Sequence, residues 1–142
     1  MPIADPTSAA DETGGIDTVF EGDGQTVLLV EEDPSVRLLI GEVLRELGYK
    51  IAEAAEPSEA IRLLETGRPF DLMITDVGLP GMNGRQLAEV ARAHLPFLPI
   101  LFVTGYAENA AMRAGFLGTN MAMITKPFQI EILSAKIREM LN

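Results

Sequence analysis

Asp76 stands where a buried run of apolar residues stops. Leu72-Met73-Ile74-Thr75 leads into this carboxylate, and Val77-Gly78-Leu79-Pro80-Gly81-Met82-Asn83-Gly84 then breaks the run at once. Three other runs end in groups of complementary chemistry. Thr26-Val27-Leu28-Leu29-Val30 ends in Glu31-Glu32-Asp33, Ile100-Leu101-Phe102-Val103 in Thr104-Gly105-Tyr106, and Ala122-Met123-Ile124-Thr125 in Lys126-Pro127-Phe128. Clustered carboxylates repel one another, so a cation belongs among Glu31, Glu32 and Asp76. Mg²⁺ suits such a set, because it takes one or two carboxylates and keeps positions for water and phosphate. With Lys126 as a second positive charge and Thr104 as a donor, these are the parts that stabilise a phosphoryl group in transfer. Asp76 as the nucleophile would become an acyl phosphate.

That chemistry requires all four run ends to meet, and the pattern between them supplies the means. Short continuous apolar runs suit strands buried on both faces of a parallel sheet. Tyr49 to Ala54 adds a further strand, giving five. Between them lie helical stretches. The first opens with Asp33 as N-cap and Pro34 at the first position, and closes at Gly48. Its core face is Val36, Leu39, Ile40, Val43 and Leu47, and Leu38 falls off that stripe. Further helices are expected from Pro57 to about Thr66, from Gly84 (capped by Asn83) to His94, from Glu108 to Ala114, and after Phe128 to near Leu141. Five strands alternating with five helices give an α/β fold, a doubly wound parallel sheet with right-handed crossovers. Ligands in such sheets sit beyond the carboxyl ends of the strands.

The 142 residues fit one domain with a real core. Residues 1–25 carry six acids and no Lys or Arg, and lack periodicity; they read as a disordered acidic leader. The remaining 117 residues hold 15 acids against 11 bases, a net of about −4, which argues against nucleic-acid binding. No apolar run approaches the length of a membrane span, no signal peptide is legible, and the absence of cysteine fits a reducing compartment. A cytoplasmic protein is expected. His94, the single histidine, sits at a helix C-terminus, and Met112, Met121, Met123 and Met140 read as packing residues.

Over residues 26–142 the chain resembles a response-regulator receiver domain. The stretches that carry the likeness are Val27 to Arg37, Asp76 to Gly84, Phe102 to Tyr106 and Thr125 to Phe128, in that order. The later stretches most resemble receivers of hybrid sensor histidine kinases. The resemblance implies a flavodoxin-like (βα)5 fold of sheet order 2-1-3-4-5. It implies phosphorylation of Asp76 by a sensor histidine kinase or a histidine phosphotransfer protein, in a two-component phosphorelay. It further implies Mg²⁺ on Glu31, Glu32, Asp76 and the Gly78 carbonyl, Lys126 on the phosphoryl oxygens and a cis Lys126-Pro127 bond. Thr104 would switch the surface of the fourth helix, fifth strand and fifth helix, a surface that also suits homodimerisation. The module would be no enzyme, though able to assist its own phosphorylation and dephosphorylation. With nothing after Asn142, output would pass by protein contact or onward phosphotransfer.

Two positions depart from the family pattern. Glu32 stands where an Asp usually contacts the metal, and one extra methylene moves the carboxylate by more than ~1 Å, so weaker Mg²⁺ binding is expected. Met123 replaces a switch aromatic on the fifth strand, with Tyr106 as a candidate substitute. Two other functions compete. One is a pseudo-receiver that binds without phosphorylation. The other is an aspartate-nucleophile phosphatase of the haloacid dehalogenase type, disfavoured because Gly78 stands where that family places a second Asp.

Overall fold

Apolar runs of five residues pair as strands because both faces of each strand find helices to cover them. In the computed structural model, which describes residues 25–79, 81–105 and 118–141, the elements follow in strict alternation as far as Ile100. They are β1 (Thr26–Val30), α1 (Pro34–Glu46), β2 (Lys50–Ala54), α2 (Pro57–Glu65), β3 (Leu72–Asp76), α3 (Gly84–His94), β4 (Ile100–Thr104), β5 (Met121–Thr125) and α4 (Ile130–Leu141). The helix α4 is the last of the five expected from the sequence. The helix expected from Glu108 to Ala114, the residues Tyr106 and Met112, and the leader apart from Gln25 lie outside the described residues.

All strand pairs are parallel, in the order β2-β1-β3-β4-β5 expected for a flavodoxin-like sheet. Alternation along each strand sorts the core into two layers. Leu28, Val30, Met73 and Phe102 pack with Ala60 and Leu64 of α2 and Leu87, Ala88 and Ala91 of α3. Val27, Leu29, Ile74 and Val103 pack with Ile40, Val43 and Leu44 of α1 and Leu133 and Ile137 of α4. Leu44 joins the core although the expected stripe omitted it, and Leu38 is exposed as expected. The methionines Met121, Met123 and Met140 are partly buried against the two layers, as packing residues.

The starts of α1 and α3 follow the capping chemistry. Asp33 accepts the Ser35 N–H at 2.9 Å, and Asn83 forms a reciprocal capping box with Gln86. Strands β3 and β4 run one residue further than the apolar runs alone suggest. Asp76 pairs with Val103, and Val77 N–H still donates to the Val103 carbonyl at 3.3 Å. Pairing with the neighbour, not side-chain polarity, sets where these strands end. The carboxyl edge therefore carries Glu31, Asp76, Thr104 and Lys126 on four adjacent strands.

Candidate functional site

Each candidate side chain is placed by the end of a strand. Glu31 follows β1 and its main-chain N–H donates to the Ala54 carbonyl of β2 at 3.1 Å. The residue is 1 % exposed and its carboxylate turns inward, with Oε2 accepting the Asp33 N–H at 3.0 Å. Asp76 closes β3 and remains 9 % exposed. The Gly78 N–H donates to Asp76 Oδ1 at 3.3 Å, folding the loop back over the carboxylate. Lys126 follows β5, and its N–H donates to the Thr104 carbonyl at 2.7 Å. The Lys126-Pro127 bond is cis, as the resemblance implied.

From that anchor the Lys126 ammonium reaches Asp76 Oδ2 at 3.1 Å and Glu31 Oε1 at 3.6 Å. The first, third and fifth strands thus meet through one cation. Glu31, Glu32, Asp33, Pro34, Asp76 and Lys126 line an open cavity of about 400 Å³ above these groups. Thr104 is fully buried at the end of β4, in register with Thr125, and its hydroxyl donates to the Gly105 carbonyl at 3.2 Å. Met123 is half-buried on β5.

Electrostatics follow from the burial. Desolvation raises the Glu31 pKa above its ordinary value, and the Asp76 charge adds to this. The Asp33 N–H and the Lys126 ammonium act the other way without cancelling it. For Lys126, burial is the largest influence and pulls the pKa down. Asp76 and Glu31 together outweigh it, so the ammonium is held above its ordinary value. Lys126 is accordingly a fixed positive charge at neutral pH.

The acids differ in readiness to hold a metal. Glu31 Oε1 is buried and accepts no hydrogen bond, an oxygen with spare capacity for a hard cation. Glu32 is exposed and lines the cavity. Among the described residues no three acidic side chains already converge as a metal cage. The donor chemistry therefore fits Mg²⁺ at Glu31 and Asp76, and Glu32 stands at the rim.

Sequence reasoning gave no role to Arg37. Its Nη1 donates to the Glu31 carbonyl at 2.8 Å, and its Nε lies 3.5 Å from Glu53 Oε1. The signal was an arginine one helical turn into α1, since helical side chains lean toward the N-terminus and so toward this turn. Gly84 was also missed as a contact. A Cβ there would lie 2.5 Å from the Asp76 carbonyl oxygen, so the start of α3 abuts the end of β3.

Comparison with known proteins gives the same assignment. Residues 27–138 match the family model for the response regulator receiver domain. The chain is 36% identical over 118 residues to the sensor kinase CckA of Brucella abortus, covering 82% of this chain and 12% of that protein. It is 35% identical over 117 residues to the chemotaxis protein CheY of Pseudomonas aeruginosa, covering 80% of this chain and 93% of that one. Among solved structures, the receiver domain of the hybrid histidine kinase CckA superposes with a TM-score of 0.70 at 30% identity, covering 82% of this chain and 99% of that one. With four strand ends meeting at one edge and these likenesses beside them, the chain belongs to the response regulator receiver domain family, the receiver modules of two-component signalling.

Proposed function

We propose that Asp76 is the phosphoacceptor of a receiver spanning residues 26–142, in the cytoplasm, phosphorylated by a sensor histidine kinase or a histidine phosphotransfer protein. The observation that carries this reading is the Asp76 carboxylate, held 3.1 Å from the half-buried Lys126 and opening into a cavity of about 400 Å³. An Asp76 carboxylate oxygen forms the new O–P bond. The N–P bond of the phosphohistidine breaks, and its electron pair leaves with the imidazole. Lys126 stays charged throughout and neutralises the phosphoryl oxygens, and the pocket aligns donor and acceptor. Thr104, buried beside β5, is the hydroxyl that turns toward the new phosphoryl group.

Mg²⁺ would be held by Glu31, Glu32, Asp76 and the Gly78 carbonyl; when bound, it supplies further neutralisation of phosphoryl charge. Glu32 reaches that position only by bending inward from the rim, which is why its extra methylene weakens the site. Output passes through contact with another protein, at the face carrying β5 and α4. That face is also where a homodimer would form.

Acetyl phosphate with Mg²⁺, followed by intact-mass measurement, tests the assignment. A single phosphate on the wild type and none on Asp76→Asn supports it. Phosphate release without an adduct would point to the phosphatase reading. No adduct and no release would leave a pseudo-receiver.

A further inference from the structure

We infer that Arg37 is a positioning residue for the acidic turn, held in place by Glu53 of the edge strand β2. The inference rests on the reading of Glu31, Glu32 and Asp76 as the Mg²⁺ and phosphoryl site, and adds to it a control point outside the cavity.

Arg37 is the fourth residue of α1, and its main-chain N–H donates to the Asp33 carbonyl at 2.9 Å. Its side chain leans back past that bond, and Nη1 donates to the Glu31 carbonyl at 2.8 Å. This carbonyl belongs to the peptide joining Glu31 to Glu32. Fixing its plane fixes the bases from which both carboxylate side chains start. The other side of Glu31 is pinned by its N–H on Ala54. On the carbonyl side the hold comes from the Arg37 bond.

The guanidinium is itself oriented. Its Nε lies 3.5 Å from Glu53 Oε1, and the second oxygen of Glu53 lies 3.5 Å from Arg45 Nη2. Glu53 pairs in register with Leu29, two residues before Glu31. Gly41 of α1 lies beside this cluster, at a distance where a Cβ would make ordinary van der Waals contact with Arg45 and Glu53. An arginine serves where a lysine cannot, because its planar fork donates in two directions at once. The Arg37 side chain is 22 % exposed, so water competes weakly for these bonds. Outer groups that orient metal ligands typically govern affinity by about 10–100-fold.

Calorimetric titration of the full-length chain with MgCl₂ tests this, with thermal melting in EDTA recorded alongside. The Arg37→Lys variant keeps the charge and loses the fork, so field effects on a divalent cation are held constant. It is expected to bind Mg²⁺ about tenfold more weakly, and Glu53→Gln about two- to threefold more weakly, at the lower end of that range. Affinity should fall in both even where the EDTA melting temperature is unchanged. Wild-type affinity in both variants, whatever their melting temperatures, overturns the inference. Absence of Mg²⁺ binding in the wild type itself overturns the underlying metal reading instead. Glu53→Gln, at a position with a side chain 40 % exposed, keeps the test available should Arg37→Lys not fold.

Discussion

Lys126 holds together two acids that would otherwise oppose folding. Glu31 is buried and its pKa is raised, chiefly by desolvation. A carboxyl whose folded pKa exceeds its ordinary value of 4.5 stabilises fully below that value and loses the contribution as pH rises through the raised pKa. Metal-free wild type should therefore lose stability as pH rises from about 4.5, while Glu31→Gln should flatten that stretch of the curve, measured by urea unfolding at stepped pH. Lys126→Met leaves two carboxylates facing each other without the cation and should cost about 2–4 kcal/mol in the same assay. Double substitution with Glu31→Gln should cost less than the sum, since the two residues share one interaction. At this scale Asp76 and Lys126 were legible, because strand-end residues in a parallel sheet must share an edge. Arg37 was not, because its partner is a main-chain carbonyl and its orientation depends on a residue of a neighbouring strand.

Among the elements, β3 and α3 meet at a close junction. Gly84 N–H donates to the Val77 carbonyl at 2.8 Å, and the missing side chain lets the helix lie against the Asp76 carbonyl. Gly84→Ala forces a Cβ to within 2.5 Å of that oxygen. The helix must shift, at a cost of about 1–3 kcal/mol, and acetyl phosphate labelling of Asp76 should slow with it. Asn83→Ala, which removes only the cap, should cost about 1 kcal/mol and leave labelling nearly unchanged. Comparing labelling rates of the two variants separates geometry from stability. Helix starts were readable from Asp33, Pro34 and Asn83, whose chemistry is local. Leu44 entered the core unannounced, because the width of a buried stripe depends on the helix packed beside it. Likewise the last residues of β3 and β4 belong to their ladders only because a neighbour pairs with them.

For the molecule as a whole, the strand order places β1 and β3 side by side at the centre, with Glu31 and Asp76 projecting at the same edge. The parallel, doubly wound sheet was readable from the alternation of strands and helices, whereas its order came from the family resemblance, since strand pairing is set by contacts between distant segments. The two-layer core follows from runs apolar on every residue. Among the described residues no helix is long and apolar enough to cross a membrane. At the opposite edge, Gln25 Nε2 donates to the Leu141 carbonyl at 3.2 Å, so the first and last described positions touch. A folded unit whose entry and exit adjoin can be spliced into a longer polypeptide as a plug-in, without stretching either flank. It can also be re-threaded. A version with Leu141 joined to Gln25 through a short Gly-Ser bridge and new ends opened at Gly67, where the turn is exposed with φ of +81, should fold. It should accept phosphate on Asp76 at a rate near that of the parent chain, because the seam lies at the far end of the strands from the reacting carboxylate.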